Sequence, residues 1–121
     1  MPVTVSPIIA TPDLDRLRTF YAALLDATEV RLHPEEGPVF FVGLRFGEAA
    51  ELGLVADADV QAGSPGRVAL SIDVADVDAL LPRVEELGGH VPGPANDMPW
   101  GQRVAHVSDP DGNALNLTQQ L

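Results

Sequence analysis

The sequence predicts an α+β fold in which one βαβββ module is used twice, each module laying a single helix on one face of a mostly antiparallel sheet. Three observations carry this. Two stretches have the spacing of a sheet-covering helix and open alike, with Asp13-Leu14-Asp15 and Asp76-Val77-Asp78. Around each lie short apolar or β-branched runs, separated by turns rich in Gly and Pro and arranged in the same order. Matching residues also keep a nearly constant separation: 63 positions at the helix starts, where Leu17 matches Leu80, and 65 at the last strands, where Gly47-Glu48-Ala49-Ala50-Glu51-Leu52 corresponds to Gly112-Asn113-Ala114-Leu115-Asn116-Leu117. The free sheet faces can then curl around a shared cavity, a cup with the helices on its outer face.

Residues 3–10 are apolar and β-branched and stop at Thr11-Pro12, as a buried strand would. Thr11 is placed to cap the following helix, with Pro12 at the first helical position and Asp13 and Asp15 near the positive end of the dipole. Leu14, Leu17, Tyr21, Leu24 and Leu25 recur at steps of three and four, so this helix runs to about Asp26. Residues 28–32 read as a strand, 34–38 as a turn, and 39–46 with 49–55 as a hairpin across Gly47-Glu48. The polar stretch 56–67 is a seam inside one domain of residues 1–121, with a first module of about 1–56, a connection of 57–67 and a second module of about 68–121. Residues 68–74 form a strand, and Asp76 caps a helix bearing Val77, Leu80, Leu81, Val84 and Leu87 that ends at Gly88-Gly89. Pro82 removes one backbone bond inside it and predicts a loose or 3₁₀-like first turn. His90-Val91 starts a short strand and 92–99 is a loop. Residues 101–108 then pair with 113–119 across Asp109-Pro110-Asp111-Gly112, which has turn chemistry at every position.

The 121 residues include 18 Asp and Glu, 7 Lys and Arg, and no cysteine. A domain of this length buries roughly two thirds of the surface its unfolded chain exposes, enough for a core without covalent staples. The absence of cysteine excludes disulfide scaffolds, thiolate zinc sites, CxxC redox chemistry and cysteine nucleophiles. A net charge of −11 repels a phosphate backbone, and the few basic residues form no stripe, which argues against a nucleic-acid partner. A cationic or neutral ligand fits better, although the same charge also serves solubility alone. No apolar run is long enough to span a bilayer, and Met1-Pro2-Val3-Thr4 has neither a basic nor an apolar leader region; a cytoplasmic protein with no membrane partner is expected.

The βαβββ-βαβββ order, the Asp-Leu-Asp helix start and above all Pro99-Trp100-Gly101 followed by Asp109-Pro110-Asp111-Gly112-Asn113 resemble the vicinal oxygen chelate superfamily, which contains glyoxalases, extradiol dioxygenases, fosfomycin-resistance enzymes and bleomycin-resistance proteins. The resemblance covers the whole chain and is closest in pattern to metal-free bleomycin-resistance-like members. It implies two modules per cup-shaped site, commonly in a homodimer. In metal-dependent members, ligands project from the first and last strand of each module, typically His or Gln paired with Glu. Carried over, those positions are Ser6, Glu51, Ala69 and Asn116, and the repeat separations of 63 and 65 relate Ser6 to Ala69 and Glu51 to Asn116. Only Glu51 is a usual ligand. A zinc-, nickel- or iron-type ion needs about three imidazole, carboxylate or thiolate donors. His33, His90 and His106 fall at none of these positions and share no i, i+4 spacing, so neither a catalytic metal nor a cofactor is expected.

Asn116 and Thr118 alternate with Leu115 and Leu117, which belong under the helices. The resemblance sets His106 on the cup face with Asn116, as a general base, a ligand hydrogen bond, or a polar residue at the sheet rim. Glu51 without a metal either binds a cationic group, abstracts a proton, or joins a hydrogen-bond network. Trp100, the one tryptophan, either stacks on a planar or cationic ligand or fills the cup edge or a dimer contact. Of the adjacent Phe40 and Phe41, Phe41 is expected in the cup, and Arg103 either binds an anion or makes a rim salt bridge. The expected ligand site is Trp100, Glu51, His106, Asn116, Phe41 and Ser6, with Glu51 and His106 as catalytic candidates. The leading expectation is a metal-free, homodimeric protein that binds a cationic or aromatic small molecule, as antibiotic-sequestering members do. The alternative is a glyoxalase-like lyase or isomerase acting through Glu51 and His106 or through a metal site elsewhere. A third is a structural or regulatory dimer with a self-filled cup.

Overall fold

The computed structural model describes residues 6–48, 50–61 and 69–121. The chain divides into two units, Met1–Gln61 and Ala62–Leu121, parted inside the polar 56–67 stretch. The first holds β1 (Ile8–Thr11), α1 (Leu14–Leu25), β2 (Thr28–His33), β3 (Phe41–Phe46) and β4 (Ala50–Ala56), with sheet order β1-β4-β3-β2. β1 runs parallel to β4, and the other pairs are antiparallel. Leu14, Leu17, Phe20, Tyr21 and Leu24 line the buried stripe of α1, and Val42, Leu44, Leu52 and Leu54, alternate residues of β3 and β4, are buried in the same core.

The α1 cap lies two residues beyond Thr11. Thr11 remains in β1, paired with Ala56, and its carbonyl accepts from Asp57 N–H at 2.8 Å, so it cannot leave the ladder to cap a helix. Asp13 caps instead, its side chain accepting from Arg16 N–H at 3.1 Å, while Thr11 Oγ1 accepts from Asp13 N–H at 3.1 Å. The expected first strand is observed from Ile8; its residues 3–5 lie outside the described residues.

The second unit holds β5 (Leu70–Asp73), α2 (Val77–Glu86), β6 (Asn96–Asp97), β7 (Gln102–Ser108) and β8 (Ala114–Gln120), with sheet order β5-β8-β7-β6 and β5 parallel to β8. Val77 and Val84 of α2 are buried, as are Ala105, Val107, Leu115 and Leu117. Asp76 caps α2 by accepting from Ala79 N–H at 3.2 Å, and Gln119 Oε1 accepts from Val77 N–H at 2.9 Å, which ties the helix start to β8. The helix is α-helical from Val77 to Glu86, so the loosening expected from Pro82 does not occur. The bond Pro82 lacks is the one to the Asp78 carbonyl four residues back, and both residues are exposed, so that carbonyl is not shut away from solvent.

The strand expected at His90-Val91 shrinks to a single bridge between His90 and Ser108, and the expected 92–99 loop contains β6. Pro92 and Pro94 offer no N–H to a ladder, so pairing resumes only at Asn96. The Asp109–Gly112 turn is built as its residues require: Asp109 Oδ1 accepts from the N–H groups of Asp111 and Asn113, both at 2.9 Å, and Gly112 N–H closes onto the Asp109 carbonyl at 2.9 Å. The result is a mixed α+β fold in which each unit repeats the βαβββ pattern and neither sheet closes on itself. Among the described residues, no helix is long and apolar enough to cross a membrane.

Candidate functional site

In the first sheet, the face opposite Val42 and Leu44 carries Phe41, Gly43 and Arg45 of β3, paired with Val55, Gly53 and Glu51 of β4. Gly43 and Gly53 are direct cross-strand partners, so the middle of this face has no side chain of its own. Neighbours fill it from two sides. Arg31 of β2 reaches across, and its Nε donates to Glu51 Oε1 at 2.7 Å, while a Cβ on Gly43 would stand 2.7 Å from that same oxygen. The Phe41 ring lies over Gly53, its Cζ 3.0 Å from where a Cβ would be, beside Ile8.

Arg31 owes its side of the sheet to a bulge. Thr28 pairs with Arg45 and Glu29 with Leu44, but the next pair is Arg31 with Gly43, leaving Val30 as the extra residue. That shift reverses the alternation and aims Arg31 and His33 to the face of Phe41 and Glu51. Along β2 runs an open groove of about 730 Å³, lined among others by Arg31, Leu32, His33, Glu35, Phe40 and Phe41. His33 and Phe40 meet edge to face, with ring centroids 5.4 Å apart. Glu29, also on the groove, is held by Arg18 through two bonds of 2.8 and 2.9 Å.

In the second sheet, Ser71, Asn116 and His106 stand in one row across β5, β8 and β7. His106 Nδ1 lies 2.7 Å from Asn116 Oδ1. With that oxygen as acceptor, Nδ1 carries the proton, and Nε2 of the neutral ring is left as an acceptor. Thr118, buried, donates to Asp73 Oδ1 at 2.9 Å, and Gln120 Nε2 donates to the same atom at 3.3 Å. Trp100 is 68% exposed, its Nε1–H donating to Gln102 Oε1 at 2.9 Å. Arg103 is engaged by Asp78 at 2.7 and 3.1 Å and by Asp97 at 3.0 Å, a salt-bridge role. Its hydrogen bond holds the Asp78 carboxyl below the ordinary carboxylate range.

Of the residues expected in the site, Glu51 and Phe41 thus share one face of the first unit, and His106 and Asn116 are bonded to each other in the second. Ser6 is exposed ahead of β1, where the Ile8 to Gly53 register, carried back two residues, leads to Glu51. Ala69 lies ahead of β5, and the ladder sets Ser71, not Ala69, beside Asn116. Pattern reading missed Arg31, His33, Phe40 and Ser71. A bulge hidden in the β2 alternation conceals the first two, and the register of a parallel pair conceals the last.

The donor set does not fit a divalent transition-metal ion. Ser6 offers a hydroxyl, Glu51 is tied to Arg31, and the Asn116 amide oxygen faces His106. Among the described residues, no three His, Asp or Glu side chains are grouped to hold an ion.

A family model described as the glyoxalase/bleomycin resistance protein/dioxygenase superfamily matches residues 3–117. Among solved structures, this chain is similar to a glyoxalase/bleomycin resistance protein/dioxygenase family enzyme from Burkholderia phytofirmans PsJN, with a TM-score of 0.79 and 21% identity over 96% of this chain and 97% of that one. It is similar to a member of the same superfamily from Sphaerobacter thermophilus DSM 20745, with a TM-score of 0.76 and 25% identity over 99% and 98% of the two chains. The bleomycin resistance determinant encoded on the transposon Tn5 has a TM-score of 0.67 and 19% identity over 98% of each chain. A search of curated proteins found no match.

Proposed function

The chain belongs to the glyoxalase/bleomycin resistance protein/dioxygenase superfamily, and from that premise we propose that it binds a small aromatic molecule in the groove along β2 and sequesters it without a metal, in the manner of an antibiotic-binding protein. The observation that carries this is the groove itself: about 730 Å³, open, and lined by Phe40, Phe41, His33 and Arg31 among others. That volume lies in the range of drug-sized ligand sites, and the aromatic edges suit a planar ring. The net charge of −11 favours encounter with cationic drugs. Glu51, the carboxylate expected to meet such a cation, is already bonded to Arg31, so charge alone does not select the bound molecule. Val30, Leu32 and Phe40, exposed and lining the groove along the edge strand β2, support a homodimer in which a second copy would close the groove's open side.

Calorimetric titration with bleomycin and with planar aromatic drugs tests this. A saturable heat at one site per chain, weakened about tenfold by Phe41→Ala, is expected from the loss of an aromatic contact. Binding indifferent to Phe41→Ala and to Phe40→Ala would remove the groove from the function.

One observation favours a second reading, a lyase or isomerase. With Asn116 Oδ1 accepting from Nδ1 of His106, Nε2 of the neutral ring is the atom that would act as the base. Turnover of an α-keto thiol adduct that is abolished by His106→Gln, with the fold intact, would establish it. Glu51 is already bonded to Arg31, so His106 is the first residue to test.

A further inference from the structure

We infer that the groove selects ligands bearing an anionic group, a carboxylate above all, which Arg31 reads while an attached ring lies against His33, Phe40 and Phe41. This rests on the groove as a binding site and names the class of molecule it takes. Arg31 lines the groove and is 67% exposed, yet it is anchored: its Nε is bonded to Glu51 Oε1 at 2.7 Å. A guanidinium has five N–H donors in a rigid fork, and this anchor uses only one edge. No bond from either Nη is formed among the described residues, so the other end of the fork remains available to a second carboxylate, which it can meet with two parallel bonds.

Gly43 makes the anchor possible. With no Cβ between them, Arg31 and Glu51 meet across β3, and the stem of Arg31 lies against the backbone, its Cβ and Cγ 3.1 and 3.2 Å from where a Cβ on Gly43 would stand. The arginine therefore enters the bound state already oriented and loses less rotamer freedom on binding. Glu51 does not line the groove, so the pair presents its positive end to a ligand. Of the groove's own carboxylates, Glu29 is neutralised by Arg18, and Glu35 stands exposed in the 34–38 turn, where solvent screens it.

The test compares three probes that share one ring, 2-naphthoate, 2-naphthylmethanol and 2-naphthylmethylammonium, by calorimetry against the full chain and Arg31→Gln. The expected result is that naphthoate binds about tenfold more tightly than the alcohol, and more tightly still than the cation. Arg31→Gln should bring naphthoate down to the affinity of the alcohol measured on the same variant, closing the gap between the two probes. Because the whole molecule carries a charge of −11, which draws cations, a preference for the anion can only be local. Equal binding of all three probes, a preference for the cation, or an anion preference that survives Arg31→Gln overturns the inference and leaves the groove as an aromatic site. Saturable binding of none of the three to the unaltered chain overturns the groove as well. Since Arg31 is mostly exposed, Arg31→Gln should keep the fold, which circular dichroism checks; Arg31→Lys, which keeps charge but not the fork, should recover less than half of the lost affinity.

Discussion

A Cβ placed on Gly43 would come within 2.7 Å of Glu51 Oε1, and one placed on Gly53 within 3.0 Å of the Phe41 ring. Two glycines facing each other in mid-sheet are costly to a strand, which loses side-chain packing there. Here the vacant space is taken by the Arg31–Glu51 pair and by Phe41. Gly43→Ala should therefore lower stability by about 1–3 kcal/mol through overpacking and drive Arg31 from Glu51. Denaturant unfolding measures the first effect, and ¹⁵N spectra of the Arg31 side chain report the second. Asp78 gives a prediction in pH. Its bond from Arg103 keeps the folded pKa below the unfolded one of about 3.9, so its stabilising contribution is complete above that value and disappears as pH falls through the folded pKa. Melting temperature followed from pH 6 to pH 2.5 should fall less steeply in Asp78→Asn than in the unaltered chain. Identical slopes would mean the exposed pair contributes nothing.

Both helices start on an aspartate that accepts from the N–H three residues on, Asp13 to Arg16 and Asp76 to Ala79. This is the physical content of the repeated Asp-X-Asp, and it explains why the cap of α1 lies at Asp13 once Thr11 is needed by β1. In α2, Pro82 has no N–H to donate to the Asp78 carbonyl four residues back, and so costs the helix a backbone bond. Pro82→Ala should raise stability by about 1 kcal/mol or more, partly offset by the greater freedom of the unfolded chain. A melting temperature that falls in that variant would show that the ring of Pro82 packs against something essential. Strand β2 is the element that pattern reading handles worst. One unpaired residue, Val30, turns an alternation that would send Arg31 toward α1 into one that sends it to the groove.

For the whole molecule, the proposed homodimer predicts a sedimentation-equilibrium mass near twice the 12.8 kDa of one chain. Leu32→Glu, at the exposed edge of β2, should shift it to the monomer; a monomer at all concentrations would leave the exposed apolar residues to the ligand alone. The number of modules, the two helices, the Gly47-Glu48 hairpin and the Asp109–Gly112 turn were all legible in the chain. Each follows from residues within a few positions of one another: a periodicity, a cap, a turn. The candidate site was legible only in part. Glu51 and His106 could be picked out by residue type, but not that Arg31 holds the one and Asn116 the other, nor that Ser71 rather than Ala69 stands beside Asn116. Those facts depend on which residues meet across a ladder. A register is set by the packing of entire strands, and one bulged residue is enough to change the face on which every following side chain appears.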